Sequence, residues 1–174
     1  MAETIFYIIL VIFALNYLFE QWLDYLNLKH ISTSLPEELQ DVYDEEAYKK
    51  SQQYKKENAR FGFISGTISF IAVFLMLVLD GFAWVDELAR SITDHPVGTS
   101  LVFFGILGLA ADILGTPFAV YDTFVIEEKY GFNKTTPRTF ITDKLKGWLI
   151  GALLGGIILA LIVWFYELTG KQVW

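Results

Sequence analysis

Four stretches of this chain carry no charged residue: 4–19, 61–79, 96–111 and 147–166. About 20 apolar residues cross the hydrocarbon core of a bilayer as one helix. A backbone there has no water to satisfy its polar groups, so such runs must be helical. The second and fourth runs suffice alone. The first reaches the needed length only by running past Glu20 towards Leu26, and the third only by passing Asp112 to reach Tyr121. A 54% hydrophobic composition and a mean hydropathy of +0.43 exclude an ordinary soluble domain. The expectation is an all-α, polytopic membrane protein of one domain over 1–174. Its spans fall at about 4–26, 61–83, 97–121 and 147–167, with loops at 27–60 and 122–146.

The first residues do not read as a signal peptide, because Glu3 stands where positive charge belongs and no small-x-small cleavage site follows. Orientation follows from Lys and Arg, which short cytoplasmic loops carry in excess. Lys29, Lys49, Lys50, Lys55, Lys56 and Arg60 lie between the first two spans, and Lys129, Lys134, Arg138, Lys144 and Lys146 between the last two. The other side holds only Arg90 and Lys171. Both long loops are therefore expected in the cytoplasm and both termini outside, in periplasm or lumen. Trp148 and Trp164 bracket the fourth span about 24 Å apart, as interfacial anchors would. An Asn133-Lys134-Thr135 sequon would then face the cytoplasm and reads as a polar loop.

The loop at 27–60 has its own pattern. Ser34-Leu35-Pro36-Glu37 forms a capping box with proline at the first helical position. Acids (Glu37, Glu38, Asp41, Asp44, Glu45, Glu46) precede bases (Lys49, Lys50, Lys55, Lys56, Arg60), which suits the helix dipole. Glu45–Lys49 and Glu46–Lys50 are candidate i,i+4 pairs. This predicts a long charged cytoplasmic helix of roughly 24 residues that feeds into the second span, with Leu39, Val42 and Tyr43 as an apolar stripe.

Within the membrane, Gly147, Gly151 and Gly155 share one helix face, and Gly62 and Gly66 repeat the spacing. Small faces let backbones approach closely, here expected within the chain. Asp112 has no charged neighbour between Pro96 and Tyr121, so its carboxylate should face protein or a polar cavity rather than lipid.

Little in the chain supports catalysis. Its two histidines, His30 and His95, are expected on opposite sides of the membrane, and no H-E-x-x-H pair is present, so no zinc site is predicted in this chain. Cysteine is absent, which removes disulfides and thiol chemistry. No G-x-S-x-G elbow, P-loop or G-x-G-x-x-G cradle occurs. Glu127 and Glu128 are adjacent and would diverge on a helix, so they do not form a general acid/base pair alone.

The segment 117–143 is far more decorated than a plain membrane loop. Its order PF-x-x-Y-x-x-F-V-I-E-E-K-Y-G-F-N-K-T-T, followed by F-x-x-D-K-L-K, resembles the N-terminal membrane region of the type I CAAX prenyl proteases. Pro117, Phe118, Tyr121, Phe124, Ile126, Glu127, Glu128, Gly131, Phe132, Asn133, Thr136, Phe140, Asp143 and Lys146 carry the resemblance. Leu35-Pro36 and the Tyr48-x₅-Tyr54 segment extend it upstream.

That resemblance implies an integral-membrane zinc metalloendopeptidase whose helices enclose an intramembrane chamber, with zinc held by H-E-x-x-H and a later glutamate. Eukaryotic members cut prenylated CAAX proteins, and bacterial ones act in membrane-protein quality control. The zinc motif is missing here, so the catalytic half is expected outside this chain, which would be inactive alone. A fragment is favoured over a stand-alone homologue. Glu127, Glu128 and Asn133, with Asp112, are then expected to contact substrate or the catalytic domain, and Thr136-Pro137 to cap the helix entering the fourth span. The implied partners are the bilayer, the C-terminal catalytic domain and a prenylated or membrane-protein substrate, with no nucleic acid. The implied location is a bacterial inner membrane or the endoplasmic reticulum. Two readings from other classes stand beside this one: a stand-alone adaptor docking through the charged loop helix, and a small transporter or channel using Asp112.

Overall fold

The computed structural model describes residues 1–36 and 44–170, and the described residues are helical throughout apart from short connections. Helix α1 is Ala2–His30, α2 Glu45–Val78, α3 Gly81–Ile92 and α4 Pro96–Tyr121. A π-helical turn, Asp122–Glu127, carries α4 into the short α5, Glu128–Tyr130; α6 is Pro137–Thr169. Four of these stretches are long and apolar enough to cross a membrane: Glu3–His30, Glu45–Val78, Pro96–Tyr130 and Pro137–Thr169. At most 6% of any of their most apolar windows is buried inside the chain, so lipid or further protein must cover them.

The charged stretch 45–60 is helical and runs on into the second span as the opening turns of α2. The cap of that helix is Asp44, whose Oδ1 accepts from the Glu46 and Ala47 N–H groups at 2.7 and 3.3 Å. Ser34 and Pro36 are not helical. The Ser34 backbone and hydroxyl turn instead to the Ser32 hydroxyl, at 3.2 and 2.7 Å, a local bond that competes with helix initiation. Residues 37–43, on which Glu37 of the capping box and the Leu39–Val42–Tyr43 stripe fall, lie outside the described residues. Neither Glu45–Lys49 nor Glu46–Lys50 is among the ion pairs of the described residues.

The second span also ends earlier than the expected residue 83. After Val78, Asp80 adopts a left-handed conformation (φ 54°, ψ 26°), which aspartate tolerates better than most residues, and α3 starts at Gly81. The break frees α3 to bury Val85 and Ala89, 3% and 0% exposed, while Arg90 and Asp86 pair on its outer face at 2.7 Å.

The chain forms two compact units. One comprises Met1–Leu79 and Phe118–Asn133, the other Asp80–Pro117 and Lys134–Trp174, so a division falls at Pro117 inside α4. In the first unit α1 and α2 pack through aromatic rings. Tyr17 stacks on Phe70 at 3.9 Å and 9°, Phe13 lies 5.1 Å from the same ring, and the Tyr17 and Thr67 hydroxyls are 2.7 Å apart. Offset aromatic pairs add roughly 0.5–1.5 kcal/mol beyond their area.

In the second unit the α3–α4 connection is closed by threonines. Thr93 Oγ1 accepts from the His95 N–H at 3.2 Å, and Thr99, 7% exposed, donates to the Thr93 carbonyl at 2.9 Å. This turn leaves no room for a side chain at Gly98, where a Cβ would stand 2.9 Å from both Cγ2 and Oγ1 of Thr93. Helix α6 opens on Thr136, whose Oγ1 accepts from the Thr139 N–H at 3.2 Å, with Pro137 at its first position, as its sequence predicts.

Gly98→Ala should therefore lower the thermal midpoint of the detergent-solubilised protein, by overpacking worth about 1–3 kcal/mol. Gly105→Ala, where a Cβ meets nothing within 4 Å, should leave it unchanged or raise it through helix propensity. Equal midpoints for the two variants would contradict the steric account.

Candidate functional site

The decorated segment ends as an ordered helix terminus. Gly131 is left-handed (φ 73°), its N–H donates to the Glu128 carbonyl at 3.0 Å, and the Phe132 and Asn133 N–H groups reach the Glu127 carbonyl at 2.9 and 3.3 Å. The 6→1 bond from Phe132 with the 5→2 bond from Gly131 is the Schellman arrangement, and glycine supplies its positive φ without strain. Asn133 Nδ2 donates to Glu128 Oε2 at 2.9 Å, so the amide and one acid of the predicted trio meet across the turn. The Glu127 carboxylate is half-buried and makes no ion pair among the described residues.

Neither Glu127 nor Glu128 forms an ion pair with the adjacent Lys129 among the described residues. Lys129 Nζ instead donates to Glu57 Oε2 on α2, at 2.6 Å, and the Tyr130 hydroxyl donates to the same oxygen at 2.7 Å. Tyr54, one turn earlier on α2, packs edge-on against Tyr130 and Phe132 with ring centres 5.4 and 4.8 Å away. Phe61, one turn later, stacks on Tyr121 at 5.0 Å. Sequence reasoning missed Glu57, although Tyr54, Glu57 and Phe61 at i, i+3 and i+7 mark one helical face.

Asp112 is in the other unit and is fully engaged. Its Oδ1 accepts from Lys144 Nζ at 2.9 Å, and its Oδ2 from the Trp148 indole N–H at 3.0 Å. Lys144 and Trp148 are four residues apart and so project from one face of α6. Asp112 is thus a partnered acid, as a carboxylate flanked by apolar sequence requires. A Cβ at Gly62, Gly147, Gly151 or Gly155 would meet nothing within 4 Å, whereas at Gly66 it would lie 3.8 Å from Gln21 Nε2.

The second unit also holds an open cavity of about 780 Å³ lined by Asp86, Arg90, Asp94 and Glu167 over Phe82 and Phe103. Arg90 is already engaged there by Asp86 Oδ2, 2.7 Å from its Nε, a bond that also raises its pKa above the ordinary value. Among the described residues no group of three His, Asp or Glu side chains could hold a metal ion.

Comparison with known proteins gives a consistent picture. A family model described as "CAAX prenyl protease N-terminal, five membrane helices" matches residues 24–174. CAAX prenyl protease 1 of Saccharomyces cerevisiae is 31% identical over 160 residues, covering 86% of this chain and 35% of its own. The probable CAAX prenyl protease 1 of Schizosaccharomyces pombe is 33% identical over 159 residues, covering 82% and 34%. The crystal structure of S. mikatae Ste24p aligns with a TM-score of 0.87 and 29% identity, over 96% of this chain and 40% of that one. The chain spans about a third of the length of these curated relatives.

Removing Lys144 would leave the Asp112 carboxylate without a counter-charge, held by the Trp148 N–H alone, which is worse than removing both charges. Lys144→Ala should lower the thermal midpoint by several degrees, Asp112→Asn by less, and the double variant by less than the sum of the two. Lys146, whose side chain is 70% exposed, supplies the control: Lys146→Ala should cost little, and an equal loss in both lysine variants would argue against the bridge.

Proposed function

Because this chain belongs to the CAAX prenyl protease family, as its N-terminal membrane region, we propose that it forms part of the chamber and substrate rim of an integral-membrane zinc endopeptidase. Zinc and its ligands belong to a catalytic part outside this chain, and the segment is inactive alone. The observation that carries the proposal is the ordered helix end at 127–133. The segment with the most specific resemblance to the family is also held by a capped turn and a Glu128–Asn133 bridge.

In this reading Glu127, Glu128 and Asn133 line the cytoplasmic rim and meet the catalytic domain or an entering prenylated or membrane-protein substrate. Carboxylates and an amide bind backbone N–H or basic groups there. Asp112 serves as a brace to α6 rather than as a contact, given its two partners. Excess Lys and Arg near 45–60 and 129–146 supports a cytoplasmic position for both segments, with the termini outside. The charged opening of α2 would then stand in the cytoplasm beside the membrane. The transporter and adaptor readings are not favoured, since the relatives matched across most of the chain are proteases.

Two measurements test these assignments. In the full-length enzyme carrying this segment, Glu127→Ala and Asn133→Ala should each reduce cleavage of a prenylated CAAX peptide about tenfold, the loss expected for one hydrogen bond involving a charged group, with the thermal midpoint retained. Unchanged cleavage would remove both residues from the rim. The natural absence of cysteine makes a single introduced one a clean topology reporter. Ser51→Cys should react with an impermeant maleimide only from the cytoplasmic side and Ser91→Cys only from the other; the reverse labelling inverts the orientation.

A further inference from the structure

The third membrane segment reaches its functional end through a weak point. Asp122–Glu127 is π-helical, a rare conformation that usually occurs as a single-turn bulge, and each residue added to a helical turn rotates everything that follows. Pro117, one turn upstream, lacks the N–H that would bond the Ile113 carbonyl. The register of residues 128–133 is thus not set by the helix ladder alone, and something outside that ladder must hold it.

Helix α2 supplies the hold on one face. Tyr54 and Phe61 give apolar and aromatic contacts, which limit distance but are weakly directional. Glu57, between them, gives a directional contact. One carboxylate oxygen receives the hydroxyl of Tyr130, a residue 7% exposed, and the ammonium of the adjacent Lys129. Charge-assisted bonds of this kind are the short, strong ones. Tyr130 is the last residue of α5, so fixing its hydroxyl fixes the residue from which the Gly131 turn departs.

We propose that Glu57 is a positioning residue for the rim: its two-donor contact with Lys129 and Tyr130 sets the register of the Gly131 turn and so the placement of Glu128 and Asn133. It touches no substrate and acts through Tyr130. The assignment rests on the rim reading for its functional consequence, whereas its structural content stands apart and can fail separately.

Amide hydrogen exchange in the full-length enzyme separates the two. Glu57→Ala should speed exchange of the amides at 131–133 about tenfold or more while those of α1 and the α2 segment facing it keep their protection. Tyr130→Phe should do the same to a smaller degree. Glu57→Gln, which keeps an acceptor for the Tyr130 hydroxyl, should regain more than half of the lost protection, and in cleavage assays Glu57→Ala should raise KM more than it lowers kcat. Unchanged exchange at 131–133 overturns the proposal, as does a uniform loss of protection across all helices, which would mark Glu57 as merely structural. Faster exchange at 131–133 with normal cleavage would uphold the positioning role and sink the rim. Reduced cleavage in Asn133→Ala with no exchange effect in Glu57→Ala would do the opposite.

Discussion

A backbone inside a bilayer has no outside partner for its N–H and C=O groups, and everything else in this chain follows from that constraint. Each apolar run must close its hydrogen bonds upon itself, which is why each lies within one long helix, α1, α2, α4 or α6, of 29, 34, 26 and 33 residues. Between such helices the hydrophobic effect has little to choose, because lipid tails are as apolar as leucine. Side-chain polar contacts and close packing therefore decide register, and the described residues hold few of them. Tyr17 to Thr67 joins α1 and α2, Glu57 joins α2 to the end of the third span, and Asp112 joins α4 to α6.

These contacts also place the irregular backbone. The breaks from regular helix, at Asp80, in the π turn and at Gly131, fall where an aspartate or glycine tolerates an unusual conformation or where neighbouring side chains hold the helix from outside. The π turn and the Gly131 cap sit within the string of residues most characteristic of the family. Local strain or looseness at such positions is common where function needs a side chain aimed in a way that a regular helix would not allow.

Much of the architecture was legible in the residues. The uncharged runs predict four long helices because bilayer thickness and helix rise leave few alternatives, and Thr136-Pro137 announces the start of α6 through capping chemistry. The family could be read from the I-E-E-K-Y-G-F-N string. Local rules competed in two places. Ser34-Leu35-Pro36-Glu37 has the capping pattern, yet Ser34 bonds Ser32, Glu37 lies outside the described residues, and the cap of α2 is Asp44, which carries an equally good acceptor. At the end of the second span, continuous hydropathy argued for more helix than Asp80 permits.

Sequence by itself determined what depends on spacing along one chain: helix existence, the acids set in apolar surroundings, and the absence of metal-binding motifs. Only the tertiary structure decided partners. Asp112 must be satisfied, but that Lys144 and Trp148 satisfy it, 32 and 36 residues away, is fixed by how α4 meets α6. Along the chain Glu57 is one charge among many in 45–60, and Lys129 is one of five bases between the last two spans. Folding paired them across 72 residues because the face of α2 carrying Tyr54, Glu57 and Phe61 packs on the end of the third span, a geometry no spacing rule along the chain contains.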